Sequence, residues 1–358
     1  EALASQAAVA ITNKNLIKDL EALFESFIKL IASAIDEKSP YTGGHCARVP
    51  EITMMLADAV HNTDYGPFAK TKFSEKELYE LKIAAWLHDC GKVATPEFVV
   101  DKSTKLETIY DRINEVGTRF VVLHRDAEIE KLNKELKIER NESLSFDQKQ
   151  QEIKKLNNEF KNTIEQLKVD ESFVKESNIG GEFMSPDKKD RINEISRYQW
   201  QPNGEMKNFL SEDEVYNLSI ARGTLTAEER KVINDHIVVT IKMLEELPYP
   251  KHLKNVPEFA GGHHEKLDGT GYPKGLTKDE MSVQARIMAI ADIFEALTAR
   301  DRPYKKGKTL SQAMRILGFM KDDAHIDVDL FDIFVKEKIY LKYADGFLEP
   351  EQIDEVKI

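Results

Sequence analysis

Five of the nine histidines and two aspartates stand in sequence contexts that favour chemistry over packing. Adjacent histidines are rarely needed for packing, and a carboxylate inside an apolar helix is costly to bury unless it is paired or binds a cation. The seven side chains are His45, His88, Asp89, His236, His263, His264 and Asp292. Imidazole and carboxylate groups together are typical ligands of divalent transition metals, so the set predicts a metal centre.

Two continuous strings carry most of these residues. The string "HDCGK", residues 88–92, ends an apolar helix that opens with the capping box of Ser74 and Glu77. A histidine and an aspartate at a helix end can both reach one cavity. The string "GGHHEKLDGTGYP", residues 261–273, sets adjacent histidines among glycines, which allow sharp turns and close approach of the backbone. Packing alone does not explain a string of this length.

Three candidates lie outside these strings. His45, in "YTGGHCARV", follows a turn and opens a helix, and His236 lies in "TAEERKVINDHIVV". Asp292 lies in the apolar stretch "RIMAIADIFEALT". Each residue alone could be either functional or structural. Together with the two strings, the three residues complete a set made only of histidine and aspartate.

The order H…HD…H…HH…D, with "HHEKLDGTGYP" complete, resembles the HD-GYP family of bacterial cyclic-dinucleotide phosphodiesterases. The resemblance covers roughly residues 33–120 and 216–345. It implies a helical bundle around the metals and hydrolysis of cyclic di-GMP to linear pGpG or to GMP. The alternatives are 3′,3′-cyclic GMP-AMP as the substrate, a silent receptor that only binds cyclic dinucleotides, and, more remotely, a general nucleotidase of the HD superfamily.

The resemblance also implies how the ligands are shared. His45, His88, Asp89 and Asp292 would hold one ion, and Asp89, His236, His263 and His264 the other. Two ions about 3.5–4 Å apart activate water and stabilise the transition state of phosphodiester cleavage, and a hydroxide between them would be the nucleophile. Iron or manganese suits these ligands, while zinc, cobalt and nickel can also bind. Because Tyr41 replaces the glutamate that holds a third ion in some members, two ions per protomer are expected.

Phosphate binding requires local cations, because the net charge of -12 gives the chain no general attraction for phosphate. By resemblance, Lys92 would pair with the scissile phosphate, and Arg302 and Lys305 in "DRPYKK" with the substrate phosphates. The loop that gives the family its name would border the site and dock diguanylate cyclase domains, with a purely structural turn as the alternative. That loop contains Gly269, Gly271, Tyr272 and Pro273.

The segments that must position these residues favour helices. Residues 36–123 and 216–345 alternate helical stretches with short breaks, and alternating β-branched runs are scarce. Residues 124–171 keep helical spacing with charges of both signs and predict an antiparallel hairpin, part of an insertion at about 121–215. The expected fold is all-α, an HD-domain bundle over 36–345 with a long N-terminal helix and an inserted helical hairpin, followed by a tail at 346–358.

Residues 1–35 contain no proline or glycine and predict one long helix. Two apolar stripes run along it, one with Leu16, Leu20, Leu23, Phe27, Leu30 and Ala34 in heptad spacing and one with Ile17, Phe24, Ile28, Ile31 and Ile35. One stripe can pack on the body and the other on a second copy, so a parallel homodimer is expected; the alternative is one helix covering its own core. The opening residues also resemble the last helix of a GAF sensor domain.

Composition excludes several classes of protein. With 41% hydrophobic and 32% charged residues the chain suits a soluble globular protein, and its acidic balance argues against binding duplex nucleic acid or an anionic membrane. No apolar run approaches the roughly 18 residues of a membrane helix. Cys46 and Cys90 make no disulfide framework, so a reducing cytoplasm is expected. Because the chain begins with Glu, we expect a fragment of a longer protein.

Overall fold

The computed structural model describes residues 2–38, 43–181, 183–202, 204–300 and 307–357. Within these ranges the chain is mainly helical, with one pair of two-residue strands, so the all-α prediction is confirmed. No helix among the described residues has both the length and the apolar character that a membrane span requires.

The α-helices are numbered in chain order. The first four are α1 (Ala2–Lys38), α2 (His45–Asn62), α3 (Glu75–Leu87) and α4 (Glu97–Val100). They are followed by α5 (Ile113–Glu139), α6 (Phe146–Asn178), α7 (Pro186–Ser196), α8 (Glu212–Leu218) and α9 (Ala227–Asn234). The last six are α10 (His236–Glu245), α11 (Val256–Gly261), α12 (Val283–Thr298), α13 (Leu310–Asp322), α14 (Val328–Lys336) and α15 (Ile339–Phe347). Short 3-10 turns lie at Cys90–Ala94, Lys251–Leu253, Lys278–Glu280 and Pro350–Gln352.

The chain forms two compact units, and the first comprises the residues up to Val100 and those from Lys231 onward. Its core lies among α2, α3 and α12 to α15. In α2 the apolar residues recur at helical spacing and are fully buried at Ile52 and Leu56, while α12 contributes Ile290 and Phe294. Helices α3 and α12 both pack on α2, which fixes helix ends that carry predicted ligands.

The long N-terminal helix uses only part of its apolar surface in this core. Ile28 and Ile35 of the second predicted stripe are buried against the core together with Ala32, whereas Ile17 and Ile31 of that stripe are exposed. The residues of the first stripe that are exposed by more than half are Leu16, Leu20, Leu23, Phe27 and Leu30. The helix continues to Lys38, three residues beyond the expected end, and α1 packs on α2 and α3.

The C-terminal segment returns to this unit. Gln352 is 3% exposed, and its side-chain amide donates to the carbonyl oxygens of Thr298 at 2.8 Å and Lys308 at 3.0 Å. Residues from 346 onward, which the sequence suggests are a tail, therefore help to hold the end of α12.

The second unit comprises Asp101–Arg230 and encloses the expected insertion at 121–215. Helices α5 and α6 pack along each other as a hairpin, and α6 begins at Ser145 with a capping box closed by Gln148. The unit has its own apolar core, in which the rings of Phe120 and Phe209 meet edge to face with centroids 4.5 Å apart.

The segment after the hairpin is more regular than its glycines and prolines suggest. Helix α7 begins after Ser185, whose hydroxyl accepts the backbone N–H of Lys188, and Pro186 occupies the first helical position. Strands β1 (Gln199–Trp200) and β2 (Lys207–Asn208) then pair antiparallel, with Trp200 opposite Lys207. The signal for α7 was present in the sequence as a serine cap followed by proline.

Candidate metal centre

All seven predicted ligands lie at one place in the first unit, mostly at helix ends. The helix ends carry His45 as the first residue of α2, His88 as the cap of α3 and His236 as the first residue of α10. Asp89 follows His88 directly, His263 and His264 follow the end of α11, and Asp292 lies inside α12. Because a chain changes direction at a helix end, five helices can direct side chains to a common point without any helix passing through it.

The first set of ligand atoms surrounds the ring of His45. Its Nε2 lies 3.2 Å from Nε2 of His88, 3.2 Å from Oδ2 of Asp89 and 3.3 Å from Oδ1 of Asp292. The same two carboxylate oxygens lie 3.4 Å and 3.7 Å from Nε2 of His88. One ligand atom from each of His45, His88 and Asp292 lies within 4.8 Å of the other two, which is close enough to surround a single ion.

The second set consists of His236, His263 and His264, whose ligand atoms also lie within 4.8 Å of one another. Asp89 reaches this set with its other oxygen, because Oδ1 lies 3.1 Å from Nε2 of His236. Oδ2 of the same carboxylate belongs to the first set. This division of one carboxylate between two groups of imidazoles is the arrangement that a carboxylate bridging two ions needs.

Local backbone contacts fix the orientation of three rings. Each donates its Nδ1–H to the carbonyl three residues earlier: His88 to Ala85 at 2.7 Å, His236 to Ile233 at 2.5 Å and His263 to Ala260 at 2.6 Å. A carbonyl only accepts, so each ring carries a proton on Nδ1 and directs Nε2, the other ring nitrogen, toward the centre. The three rings therefore point the same kind of atom into the centre.

The ring of His45 is oriented by a residue that sequence reasoning missed. Glu295, fully buried on α12, accepts a hydrogen bond from Nδ1 of His45 through Oε2. Its Oε1 accepts from Nε of Arg48 at 2.6 Å. Burial opposes the charge on Glu295, but His45 and Arg48 outweigh it and lower the pKa of the carboxyl. The signal was available, since Glu295 lies three residues after Asp292 and hence on the same face of α12.

The protonation of the histidines differs between the first and the second ligand set. Burial alone would raise the pKa of Asp89, but Lys92 and His88 hold it well below the ordinary value. Burial likewise disfavours the charged form of His88, and Asp89 overrides it to raise the pKa of that ring to about 9. On the other side, burial lowers the pKa of His263 well below its ordinary value and that of His264 to about 4. The paired histidines are thus neutral at pH 7, the form that binds metals.

Several polar atoms of the centre lack a hydrogen-bond partner among the described residues. They are Oδ1 of Asp89, Nε2 of His236 and Nε2 of His263, all of them buried. A buried polar atom without a partner costs about 1–3 kcal/mol, so such atoms rarely gather without a reason. A divalent cation fits this set, because it would take the free electron pairs of imidazole and carboxylate together.

Lys92 and Gly91 complete the segment after Asp89. Nζ of Lys92 lies 2.5 Å from Oδ2 of Asp89, and this pairing raises the pKa of the lysine to about 12 against the effect of burial. Gly91 approaches α10 so closely that a Cβ would lie 2.0 Å from the carbonyl oxygen of His236 and 2.5 Å from the backbone nitrogen of Thr240. Only glycine fits there, so Gly91, inside the 3-10 turn Cys90–Ala94, allows the close approach in which Asp89 and His236 meet.

The loop after the paired histidines folds back on them. A Cβ on Gly271 would lie 2.3 Å from the backbone nitrogen of Lys266, so this position also requires glycine. The ring of Tyr272 stacks on that of His264 with centroids 4.9 Å apart, and a cis peptide bond leads on to Pro273. The loop is thus built against the metal centre.

Glu265 holds this loop in place. It is 1% exposed, and its carboxylate accepts the backbone N–H groups of Lys274 at 2.7 Å and Leu276 at 2.9 Å. Gly269 has a φ of +78°, in the left-handed region that favours glycine. These contacts give the loop a structural role in addition to any contact with substrate.

Three residues named in the sequence analysis lie outside the described residues. They are Tyr41, Arg302 and Lys305. The expected number of ions and the expected phosphate contacts of the "DRPYKK" segment therefore stay predictions.

Comparison with known proteins finds an HD-domain match and several partly similar phosphodiesterases. A family model described as an HD domain matches residues 212–330. A protein of Vibrio cholerae named 3′3′-cGAMP-specific phosphodiesterase 3 is 39% identical over 107 residues, which is 30% of this chain and 22% of that protein. A cyclic di-GMP phosphodiesterase of Pseudomonas aeruginosa is 45% identical over 74 residues, 21% of this chain and 17% of its own length.

A cyclic di-GMP phosphodiesterase of Thermotoga maritima is 40% identical over 93 residues, 26% of this chain and 25% of the relative. Each match spans a quarter or less of the relative's own length. The residues matched by the HD model include His236, the paired histidines and Asp292, and the structure brings His45, His88 and Asp89 to the same centre from outside that stretch. Residues 212–330 are thus similar to an HD domain, and parts of the chain are similar to parts of these phosphodiesterases.

Proposed function

We propose that this chain is a metal-dependent phosphodiesterase that hydrolyses a cyclic dinucleotide, with cyclic di-GMP as the first candidate and pGpG or GMP as the product. The observation that carries the proposal is Asp89, which directs one oxygen to each of two groups of imidazoles. The names of the matched relatives support the substrate class, since each is a phosphodiesterase of cyclic di-GMP or cGAMP.

We infer that the centre holds two divalent ions per protomer, iron or manganese by the mixture of imidazole and carboxylate ligands. When bound, such ions activate a water molecule and stabilise the charge that develops on the phosphoryl group and the leaving oxygen. The two ligand sets proposed from the sequence share Asp89, and the buried atoms of Asp89, His236 and His263 that lack partners among the described residues support this proposal. The neutral rings of His263 and His264 bind a cation without adding charge of their own.

The remaining residues of the chain would bind and orient the substrate. Lys92, 23% exposed in its side chain and paired with Asp89, would donate to the scissile phosphate. Gly271, Tyr272 and Pro273 would border the bound nucleotide next to His264. Arg302 and Lys305 are proposed as further phosphate contacts on the sequence pattern alone.

A second substrate, 3′,3′-cyclic GMP-AMP, has a specific observation in its favour, namely the Vibrio cholerae relative whose name gives that specificity. The two dinucleotides differ in one base, and the motif of metal ligands does not encode the contacts to a purine edge that would separate them. A silent receptor is disfavoured, because such a protein has no need to keep every ligand of both sets.

The test is anaerobic purification, metal analysis and turnover assays on both dinucleotides. We expect about two ions per protomer, loss of turnover on chelation and recovery when iron or manganese is restored. Asp89→Asn keeps the shape of the side chain but removes its charge, and should bind less metal and turn over neither dinucleotide. A metal-free wild type with full turnover would refute the proposal, and a content near three ions would refute the two-ion part.

We also infer a parallel homodimer through α1, a docking site for a diguanylate cyclase domain at the GYP loop, and a cytoplasmic location. The dimer rests on the heptad stripe at Leu16, Leu20 and Leu23, whose side chains are more than half exposed. The location rests on two cysteines that are free and buried. Sedimentation of wild type and Leu20→Glu tests the dimer: an unchanged mass for the variant would contradict it.

A further inference from the structure

The last turn of α1 contacts two of the three chain segments that bring ligands to the first metal set. Asp36 is 8% exposed, and its carboxylate accepts the backbone N–H of Gly44 at 3.1 Å and that of Cys46 at 3.2 Å. These amides belong to the start of α2, whose first residue is His45. Gly44 has no side chain with which to cap the helix, so Asp36 supplies the cap from another helix.

Lys38, two residues later, holds the other segment. Its ammonium group donates to the carbonyl oxygens of Lys92 at 3.0 Å, of Val93, and of Thr95 at 2.6 Å. An ammonium group has three N–H donors, so all three are used on this one turn. The turn follows Asp89 directly and contains Lys92.

One turn of a single helix therefore connects the backbone that carries His45 to the backbone that carries Asp89 and Lys92. The two ligands meet at 3.2 Å between Nε2 of His45 and Oδ2 of Asp89. Because a helix moves as a rigid rod, any shift or rotation of α1 moves Asp36 and Lys38 together. Such a movement would displace the backbone of His45 and the backbone that follows Asp89 at the same time.

We propose that Asp36 and Lys38 are positioning residues for the metal centre, through which the placement of α1 sets the geometry of His45, Asp89 and Lys92. The proposal rests on the proposed function only in taking these three residues as part of the reactive centre. Neither Asp36 nor Lys38 needs to touch the ion or the substrate. The first two turns of α1 and much of its middle are exposed. A partner that binds there and shifts the helix would regulate the metal centre through Asp36 and Lys38.

In α1, different residues hold the helix on the core and contact the segments that carry metal ligands. Ile28, Ala32 and Ile35 hold the helix on the core through apolar contacts. Asp36 and Lys38 add hydrogen bonds to backbone atoms of ligand-bearing segments. Loss of the apolar contacts would loosen α1 in general, whereas loss of the polar ones would change the centre specifically.

The experiment compares metal retention and steady-state kinetics in the full chain. Asp36→Ala and Lys38→Met should each weaken retention of the more loosely held ion at least tenfold in a chelator competition. They should lower kcat on cyclic di-GMP at least tenfold and change KM less, because only Lys92 among the three proposed phosphate contacts lies on a segment that Lys38 holds. Lys38→Arg, which keeps the charge and several donors, should recover part of both losses. Asp19→Ala and Lys18→Met, on the exposed part of α1, should match wild type.

Ile35→Ala is the control for general loosening of α1. If it lowers the melting temperature as much as Asp36→Ala and lowers metal retention equally, the two polar residues act only through stability and the proposal is wrong. Wild-type retention and kcat in both polar variants would also overturn it. Should Asp36→Ala fail to fold, Asp36→Asn, which loses one acceptor, replaces it with the same criteria.

Failure of the proposed function gives a different result. If wild type binds metal but hydrolyses neither dinucleotide, while Lys38→Met still weakens metal retention, positioning holds and the proposed substrate class is wrong. If wild type hydrolyses a dinucleotide and the Asp36 and Lys38 variants match it in retention and kcat, only the positioning proposal is wrong.

Discussion

Two buried carboxylates of the second unit have hydrogen-bond partners on both oxygens, whereas the candidate metal centre of the first unit keeps buried polar atoms without partners among the described residues. In the second unit, buried Asp170 accepts hydrogen bonds from Gln166, Arg191 and Tyr198. Glu214, 2% exposed, is held by two N–H groups of Arg119 at 2.7 Å and 2.8 Å. In the first unit, by contrast, Asp89 Oδ1 and the Nε2 atoms of His236 and His263 have no hydrogen-bond partner among the described residues.

The contrast separates a structural network from a binding site. A buried ion pair with complete hydrogen bonds is stable without any ligand, and its removal shows mainly as lost stability. A set of buried acceptors without donors is costly until a cation enters, and binding to the folded chain alone then stabilises the fold. Disrupting the second unit should therefore change unfolding, and disrupting the first unit's centre should change chemistry.

The largest effect is expected at Asp89. Asp89→Asn should lower turnover of the cyclic dinucleotide by at least about 10³-fold, because one ligand charge is lost from both ligand sets at once. The matched change in the second unit, Asp170→Asn, should lower the melting temperature and leave kcat per folded molecule within about twofold. A kcat for Asp170→Asn as low as that of Asp89→Asn would remove the distinction between the units. Both are measured by steady-state kinetics and thermal unfolding.

The second unit should respond most at Glu214. Glu214→Gln leaves the Arg119 guanidinium without its buried charged partner and with only the half-exposed Glu115 at 3.9 Å, so the free energy of unfolding in urea should fall by about 2–3 kcal/mol. Asp213→Asn on the same helix removes an ion pair with Arg112 whose aspartate is 62% exposed, and should cost less than about 1 kcal/mol. Equal losses in the two variants would contradict the view that burial makes the difference.

A smaller change is expected from the residue that orients His45. Glu295→Gln should weaken metal affinity by about 10–100-fold, because the amide is a poorer acceptor for Nδ1–H of His45 and no longer balances Arg48. Glu245→Gln, an exposed residue of α10, is the control and should bind metal as wild type does. An unchanged affinity in Glu295→Gln would show that backbone geometry alone orients His45.

The smallest effect concerns pH and the buried Lys105 of the second unit. Its ammonium group donates to the carbonyl oxygens of Leu218 and Ile220, and burial, with Lys188 and Lys189 nearby, lowers its pKa from 10.5 to about 8. Between these values the unfolded chain holds more protons than the folded one, so stability should rise with pH from about 8 to about 10.5. The rise should be on the order of 1 kcal/mol and absent in Lys105→Met, as measured by urea unfolding. Parallel pH profiles for the two proteins would contradict it.

Much of the fold was determined by local sequence. The capping box at Ser74, the apolar spacing of α2 and the mixed charges of residues 124–171 each depend on neighbours a few positions apart, and helices form at all three places. Helix α7 and the pairing of β1 with β2 were not anticipated. Their signals are short, and a two-residue strand exists only when its partner strand is already beside it.

The chemical identity of the candidate centre was also determined by sequence, because residue type decides which side chains can bind a metal. The paired histidines, the His-Asp pair and the aspartate in an apolar helix are unusual wherever they occur. What the tertiary structure decided is how these groups are oriented. It assigned each oxygen of Asp89 to a different set of imidazoles, paired His45 with Glu295 across 250 positions, and capped the helix of His45 with Asp36. These contacts join residues that no local pattern relates, and a hydrogen bond depends on distances of a few tenths of an ångström that only the packed chain can set.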